Sequence, residues 1–269
     1  RHRARVKLLR ILVADDHAAN RLLLQTVLQK AGHRVMAVED GEAALEALAS
    51  GGFDLALVDL HMPTMSGIDL LRQLRVMEAG LHEATPVIVV SADAMADTLQ
   101  ACRNAGARAY ITKPFTAGWL LEAIAEIVSG ERPGEAEPVV QLQPGSNAQV
   151  LDATALDEFA ALGMGKAFET EFIGQCVTDA RMALVRIRQA IVVADWEQYR
   201  DQAHALKGVA SNLGLRQCST LSSALMRMSG IELARDGQRH CDSLADCLRR
   251  GEQALAARGS WVPAREDTP

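Results

Sequence analysis

The chain has 269 residues, 49% of them hydrophobic and 23% charged, and a formal net charge of -6. This length allows two ordinary domains with a core each, while the acidic balance excludes a global basic footprint for nucleic acid. No apolar run of about 18 residues is present to span a membrane, and five cysteines (Cys102, Cys176, Cys218, Cys241, Cys247) without framework spacing or a CxxC pair point to a reducing, cytoplasmic setting rather than a disulfide scaffold.

Residues 1–10 hold five Lys or Arg and no acid, whereas 11–128 hold eight basic and fifteen acidic residues, a balance of -7. Residues 1–8 read as a basic lead-in. The start at Arg1, with no signal-peptide pattern, predicts a piece of a longer protein. Strand signals follow at Ile11–Ala14, Arg34–Val38, Leu55–Val58, Val87–Val90 and Ala109–Thr112. Helical patterns lie between them at Asn20–Ala31, Glu42–Ala49, Ile68–Met77, Ala96–Ala105 and Ala117–Val128, three of them closed by glycine. Five βα units in succession predict an α/β domain over 9–128, a doubly wound parallel sheet of order 2-1-3-4-5.

Residues 129–150 carry three prolines and three glycines and read as a linker. From Leu151 onward only helical patterns occur, at Thr154–Leu162, Lys166–Val193, Trp196–Leu213, Arg216–Met228 and about Gln238–Ala257. They predict an all-α four-helix bundle over 151–258, with 259–269 as a tail. Asp195, followed three residues later by Gln198, predicts a capping box at the start of the third of these helices.

In an open parallel sheet the working residues collect beyond the carboxyl ends of the strands. Asp15 and Asp16, Asp59, Ser91 and Lys113 end the first, third, fourth and fifth predicted strands, so they converge. A carboxylate can accept a phosphoryl group if a divalent cation neutralises the developing charge. Mg²⁺ favours oxygen ligands, which Asp15, Asp16, Asp59 and the backbone oxygen of His61 would supply. Lys113 would pair with a phosphoryl oxygen and the Ser91 hydroxyl would bond to another. His17 and His61 flank the site, but a hard-oxygen cluster argues against imidazole ligation.

These residues carry a resemblance. Asp15-Asp16, Asp59 followed by Met62-Pro63-Thr64-Met65-Ser66-Gly67, Ser91-Ala92 and Lys113-Pro114 are similar to the response-regulator receiver family. The resemblance implies Mg²⁺ (or Mn²⁺) at the acidic site, phosphorylation on Asp59, a cis bond before Pro114, and Tyr110 as an aromatic that turns inward as Ser91 moves.

The helix from Trp196 carries an apolar stripe of Trp196, Tyr199, Ala203, Leu206, Ala210 and Leu213. His204, Lys207, Gly208 and Ser211 fall at i, i+3, i+4 and i+7 on its flank and are expected to share one surface. A neutral imidazole there can act as a nucleophile, Lys207 can hold a phosphoryl group, and Gly208 clears space for a partner. His33, His82 and His240 read as ordinary solvated histidines. The string His204-Ala205-Leu206-Lys207-Gly208-Val209-Ala210-Ser211-Asn212-Leu213-Gly214 resembles the histidine phosphotransfer (HPt) signature.

A receiver followed by an HPt bundle resembles the tail of hybrid sensor histidine kinases. Gln73–Met77, Ala160–Gly165 and Ala203–Leu215 are similar to those of diffusible-signal-factor (fatty-acid) quorum sensing. That resemblance implies an inner-membrane parent with this segment on its cytoplasmic side. It also implies a relay from an upstream kinase core to Asp59, then to His204, then to a separate response regulator. The alternative it carries is a receiver that acts chiefly as a binding module, sequestering a signal synthase. A phosphatase is disfavoured, since His61 stands where such enzymes place a second acid.

Overall fold

In a computed structural model the chain is described at residues 8–80, 84–93, 95–113, 115–129, 150–259 and 261–262. It divides into two compact units with the boundary between 141 and 142. Most of the predicted linker, of the basic lead-in and of the tail, together with His82 and Pro114 (hence the cis bond expected there), lie outside the described residues.

The first unit runs β1 (Arg10–Ala14), α1 (Ala18–Lys30), β2 (Arg34–Val38), α2 (Gly41–Ala49), β3 (Leu55–Asp59), α3 (Gly67–Met77), β4 (Val87–Ser91), α4 (Ala96–Asn104), β5 (Ala109–Thr112) and α5 (Ala117–Ser129). All strand pairs are parallel, in the order β2-β1-β3-β4-β5. Strands β3 and β4 are buried along their whole length. A strand covered on both faces reads as an unbroken apolar run rather than an alternation, and here each run ends in one polar residue, Asp59 and Ser91. The edge strand β2 exposes Arg34 and Met36.

Local chemistry sets the helix starts. Asp40 accepts from Ala43 N–H at the head of α2, and Ser66 accepts from Asp69 N–H at the head of α3. One clamp is long-range. Arg75, near the end of α3, donates at 3.0 Å to the carbonyls of Thr85 and Gly106, and its partner Glu78 accepts from Thr85 N–H at 2.8 Å. It ties α3 to the entry of β4 and to the turn after α4.

Among the described residues the second unit runs α6 (Thr154–Ala161), α7 (Gly165–Val193), α8 (Trp196–Asn212), α9 (Arg216–Leu225) and α10 (Gly230–Ala257). Phe159, Phe168 and Phe172 pack α6 onto α7, with ring centroids 5.1–6.0 Å apart. Asp195 caps α8 through Gln198 N–H at 2.9 Å. The last helix begins eight residues before the predicted Gln238, because Ser229 and Glu232 form a full capping box. Ser229→Ala is therefore expected to lower the stability of this unit by about 1 kcal/mol, read as an earlier urea midpoint for its transition.

His33 is a correction. It is 6% exposed, not solvated, and its Nδ1 accepts from Leu9 N–H at 3.4 Å.

Candidate functional site

The chain order places the reversal of the sheet at β1, with β2 on one side and β3 on the other, and this opens the crevice beyond the strand ends. Asp15 sits just past β1. His17 N–H and Asn20 Nδ2 donate to its Oδ1 at 2.9 Å each, and Arg21 donates to its carbonyl at 2.7 Å. Lys113, just past β5, reaches across: its Nζ lies 2.8 Å from Asp15 Oδ2 and 3.0 Å from Asp59 Oδ2. All three side chains are buried. Asp16 is half-buried and its Oδ1 lies 2.7 Å from His17 Nδ1.

Electrostatics separates the acids. Burial opposes the charge of Asp15, but Lys113 and His17 outweigh it and hold its carboxyl well below the usual range. Burial pushes Asp59 upward, Lys113 opposes this, and the Asp15 charge adds to it. For Lys113, burial works against the ammonium and the two aspartates prevail, so its value is raised. Burial likewise disfavours a charged His17, but Asp15 and Asp16 push it up to about 10.

The remaining predicted residues stand close by. Ser91 is fully buried and its Oγ accepts from Asp93 N–H at 3.2 Å. Tyr110 is half-buried on β5; its hydroxyl donates to the Asp93 carbonyl. Burial lifts its phenol above the usual range against a hydrogen bond with Ser91. Asp93 was not singled out from sequence, yet its carboxylate also accepts from Met95 N–H and from Thr98 Oγ1 at the head of α4. It joins Ser91, Tyr110 and α4 in one network. His61 is exposed, and its N–H lies 3.4 Å from Asp59 Oδ1.

Behind the acceptor, Gly67 N–H bonds to Leu60 O, and a Cβ on Gly67 would fall 2.4 Å from the Asp59 carbonyl oxygen. Only glycine fits where α3 starts against β3. Thr64, in the intervening loop, has φ 69°, a strained value for a β-branched residue of the kind that collects near functional sites.

In the second unit α8 buries Tyr199, Ala203, Leu206, Val209 and Ala210. His204, Lys207 and Gly208 are half-buried on the flank. Nothing lies within 4 Å of a Cβ built on Gly208. Ser211 departs from the predicted surface. It is 8% exposed, with its Oγ 2.9 Å from Ser219 Oγ, because α9 packs over the last turn of α8.

Residues 11–125 match the response regulator receiver domain family and residues 171–258 match the Hpt domain family, and the chain belongs to the receiver family, with an Hpt domain behind it. Across its whole length it is 46% identical to the sensory/regulatory protein RpfC of Xanthomonas campestris pv. campestris, of which it covers 37%. It is 40% identical over 120 residues to chemotaxis protein CheY of Pseudomonas aeruginosa, 44% of this chain and 95% of that one. Among solved structures, the receiver domain of sensor histidine kinase PA1611 from P. aeruginosa PAO1, with a magnesium ion coordinated in its active-site cleft, is 28% identical over 46% of this chain and 98% of that chain, at a TM-score of 0.41. The chain thus spans little more than a third of RpfC.

Receiver domains bind a divalent metal at this acidic site, and the residues here fit one. Ligand atoms of Asp15, Asp16, His17 and Asp59 lie within 4.8 Å of one another. Three of the four residues offer carboxylate oxygens, the donors a hard divalent cation prefers, and the upward push on Asp59 marks a place where more positive charge is favoured. No helix among the described residues is long and apolar enough to cross a membrane.

Proposed function

We propose that this chain is a phosphorelay segment of a hybrid sensor kinase, accepting a phosphoryl group on Asp59 and passing it through His204 to a separate response regulator. The observation that carries the reading is Lys113 Nζ held between the buried carboxylates of Asp15 and Asp59. An ammonium in that place holds Asp59 ready as a nucleophile and meets an oxygen of the incoming phosphoryl group. A bound Mg²⁺ or Mn²⁺ would supply neutralisation of developing charge, held by Asp15, Asp16, Asp59 and the backbone oxygen of His61. Once Asp59 is modified, the Ser91 hydroxyl has a new acceptor within its strand-end neighbourhood. Breaking its contacts with Asp93 and Tyr110 would carry the change toward α4.

His204 plays the simpler part. Its neutral imidazole attacks phosphorus, and Lys207, one turn away, draws and holds the phosphoryl oxygens. A helical glycine costs about 1 kcal/mol relative to alanine, and open space around Gly208 supports a role in letting a partner's surface approach. The identity with RpfC supports placing the relay in fatty-acid quorum sensing. On that reading the partners are an upstream kinase core, a downstream regulator and a signal synthase bound by the receiver, and the segment lies on the cytoplasmic side of an inner-membrane parent.

Labelled acetyl phosphate with Mg²⁺ is expected to give base-labile label on Asp59 and acid-labile label on His204. His204→Gln is expected to leave only the base-labile label and to block delivery to the downstream regulator. Delivery without His204 would overturn the relay.

A further inference from the structure

The buried face of α1 is made of Ala19, Asn20, Leu23, Leu24, Val27 and Leu28. Asn20 stands where this stripe calls for an apolar side chain, and it is only 6% exposed. Asparagine is a mediocre helix former, and a buried amide is costly unless it is hydrogen-bonded. Its bond goes to the acidic site: Asn20 Nδ2 donates to Asp15 Oδ1 at 2.9 Å. An ionised carboxylate only accepts, so the amide must present its NH2 side there.

Asp15 is thereby held from three directions. His17 N–H meets the same Oδ1 at 2.9 Å, and Lys113 Nζ meets Oδ2 at 2.8 Å. The two donors on Oδ1 come from different elements. One is backbone in the turn after β1, and the other reaches in from the first turn of α1. With the His17 bond alone, the carboxylate could pivot about Oδ1. With Asn20 added its plane is fixed, and Oδ2 stays on the lysine that also meets Asp59 at 3.0 Å.

We infer that Asn20 is a positioning residue for phosphoryl acceptance, acting through Asp15 to fix the carboxylate on which Lys113 and a divalent cation both depend. The inference rests on the reading of Asp59 as the acceptor. Groups that orient a metal's ligands typically matter 10–100-fold in affinity, roughly as much as a weak ligand itself.

The test begins without a phosphodonor. Mg²⁺ is titrated calorimetrically into the whole chain, and the rate of labelling by acetyl phosphate is then followed against Mg²⁺ concentration. Asn20→Leu keeps the bulk of the side chain and removes the donor, whereas Asn20→Ala removes both. Each is expected to weaken Mg²⁺ binding by about 10-fold. The Mg²⁺ concentration that half-saturates labelling should rise by the same factor, with the label still on Asp59. Arg75→Ala loosens the receiver unit from the opposite end of its sheet and is expected to keep the parent's Mg²⁺ affinity. Circular dichroism at the assay temperature identifies the folded variants, and either folded Asn20 variant decides the matter. Parent-like Mg²⁺ binding by that variant, or equal weakening by Arg75→Ala, would overturn the inference. A parent chain that binds Mg²⁺ but takes no label on Asp59 would instead overturn the acceptor reading, and phosphoryl acceptance positioned by Asn20 would fall with it.

Discussion

Lys113→Ala is expected to slow labelling of Asp59 strongly and to destabilise the receiver unit by about 3–5 kcal/mol in EDTA, the usual cost of breaking a buried ion pair from one side. The lysine is the cation shared by Asp15 and Asp59, at 2.8 and 3.0 Å. Without it two buried carboxylates face each other. The deficit is pH-dependent. In the folded chain Asp59 is already pushed above its unfolded value, and removing Lys113 pushes it further. The folded state then binds the proton more tightly than the unfolded one, so protonation relieves the repulsion at low pH. Stability is lost as pH rises from the ordinary aspartate range through the raised folded value. Urea midpoints in EDTA should therefore differ most between variant and parent at neutral pH and least near pH 5. Labelling by acetyl phosphate should fall by about 10²–10³-fold, the range for losing a preorganised charge at a reacting centre. A variant with full stability at neutral pH would contradict the shared-cation account.

Gly214→Ala is expected to destabilise the Hpt unit by about 3–5 kcal/mol, from overpacking against backbone together with a left-handed conformation. Gly214 has φ 71°, and a Cβ there would lie 1.9 Å from the Asp152 carbonyl oxygen. Asp152 has no room to retreat. Its N–H bonds to Gly214 O at 2.8 Å, and its carboxylate accepts from Arg216 Nε at 3.0 Å and from Thr154 N–H at 3.1 Å. These bonds tie the entry of α6 to the turn between α8 and α9. Asp152→Ala removes the side-chain bonds but leaves the backbone pair, so its cost should be smaller. In a urea titration Gly214→Ala should move the Hpt transition far more than Asp152→Ala, with the receiver transition unchanged. Equal shifts would mean that the clash is absorbed elsewhere.

Local patterns carried far. The five strands were legible because β3 and β4, covered on both faces, leave unbroken apolar runs, and the helices because their buried positions recur every three or four residues. The convergence of Asp15, Asp59, Ser91 and Lys113 followed from strand-end positions alone, since a parallel sheet gathers its carboxyl ends on one side. Less was legible wherever a residue's neighbour is distant in the chain. Asn20, Arg21 and Asp93 support the acidic site through contacts that no spacing announces. The early start of α10 had a local sign in Ser229 and Glu232, but no apolar stripe drew the reading back that far.

The sequence by itself determined the order of elements, the doubly wound class of the first unit, the helical class of the second, and the candidate acceptors Asp59 and His204. Tertiary structure alone decided which predicted groups share a surface. It covered Ser211 with α9, buried His33, and put Lys113 between two aspartates. The physical reason is that periodicity records which face of an element avoids water, whereas the identity of the partner on that face is set by how elements pack.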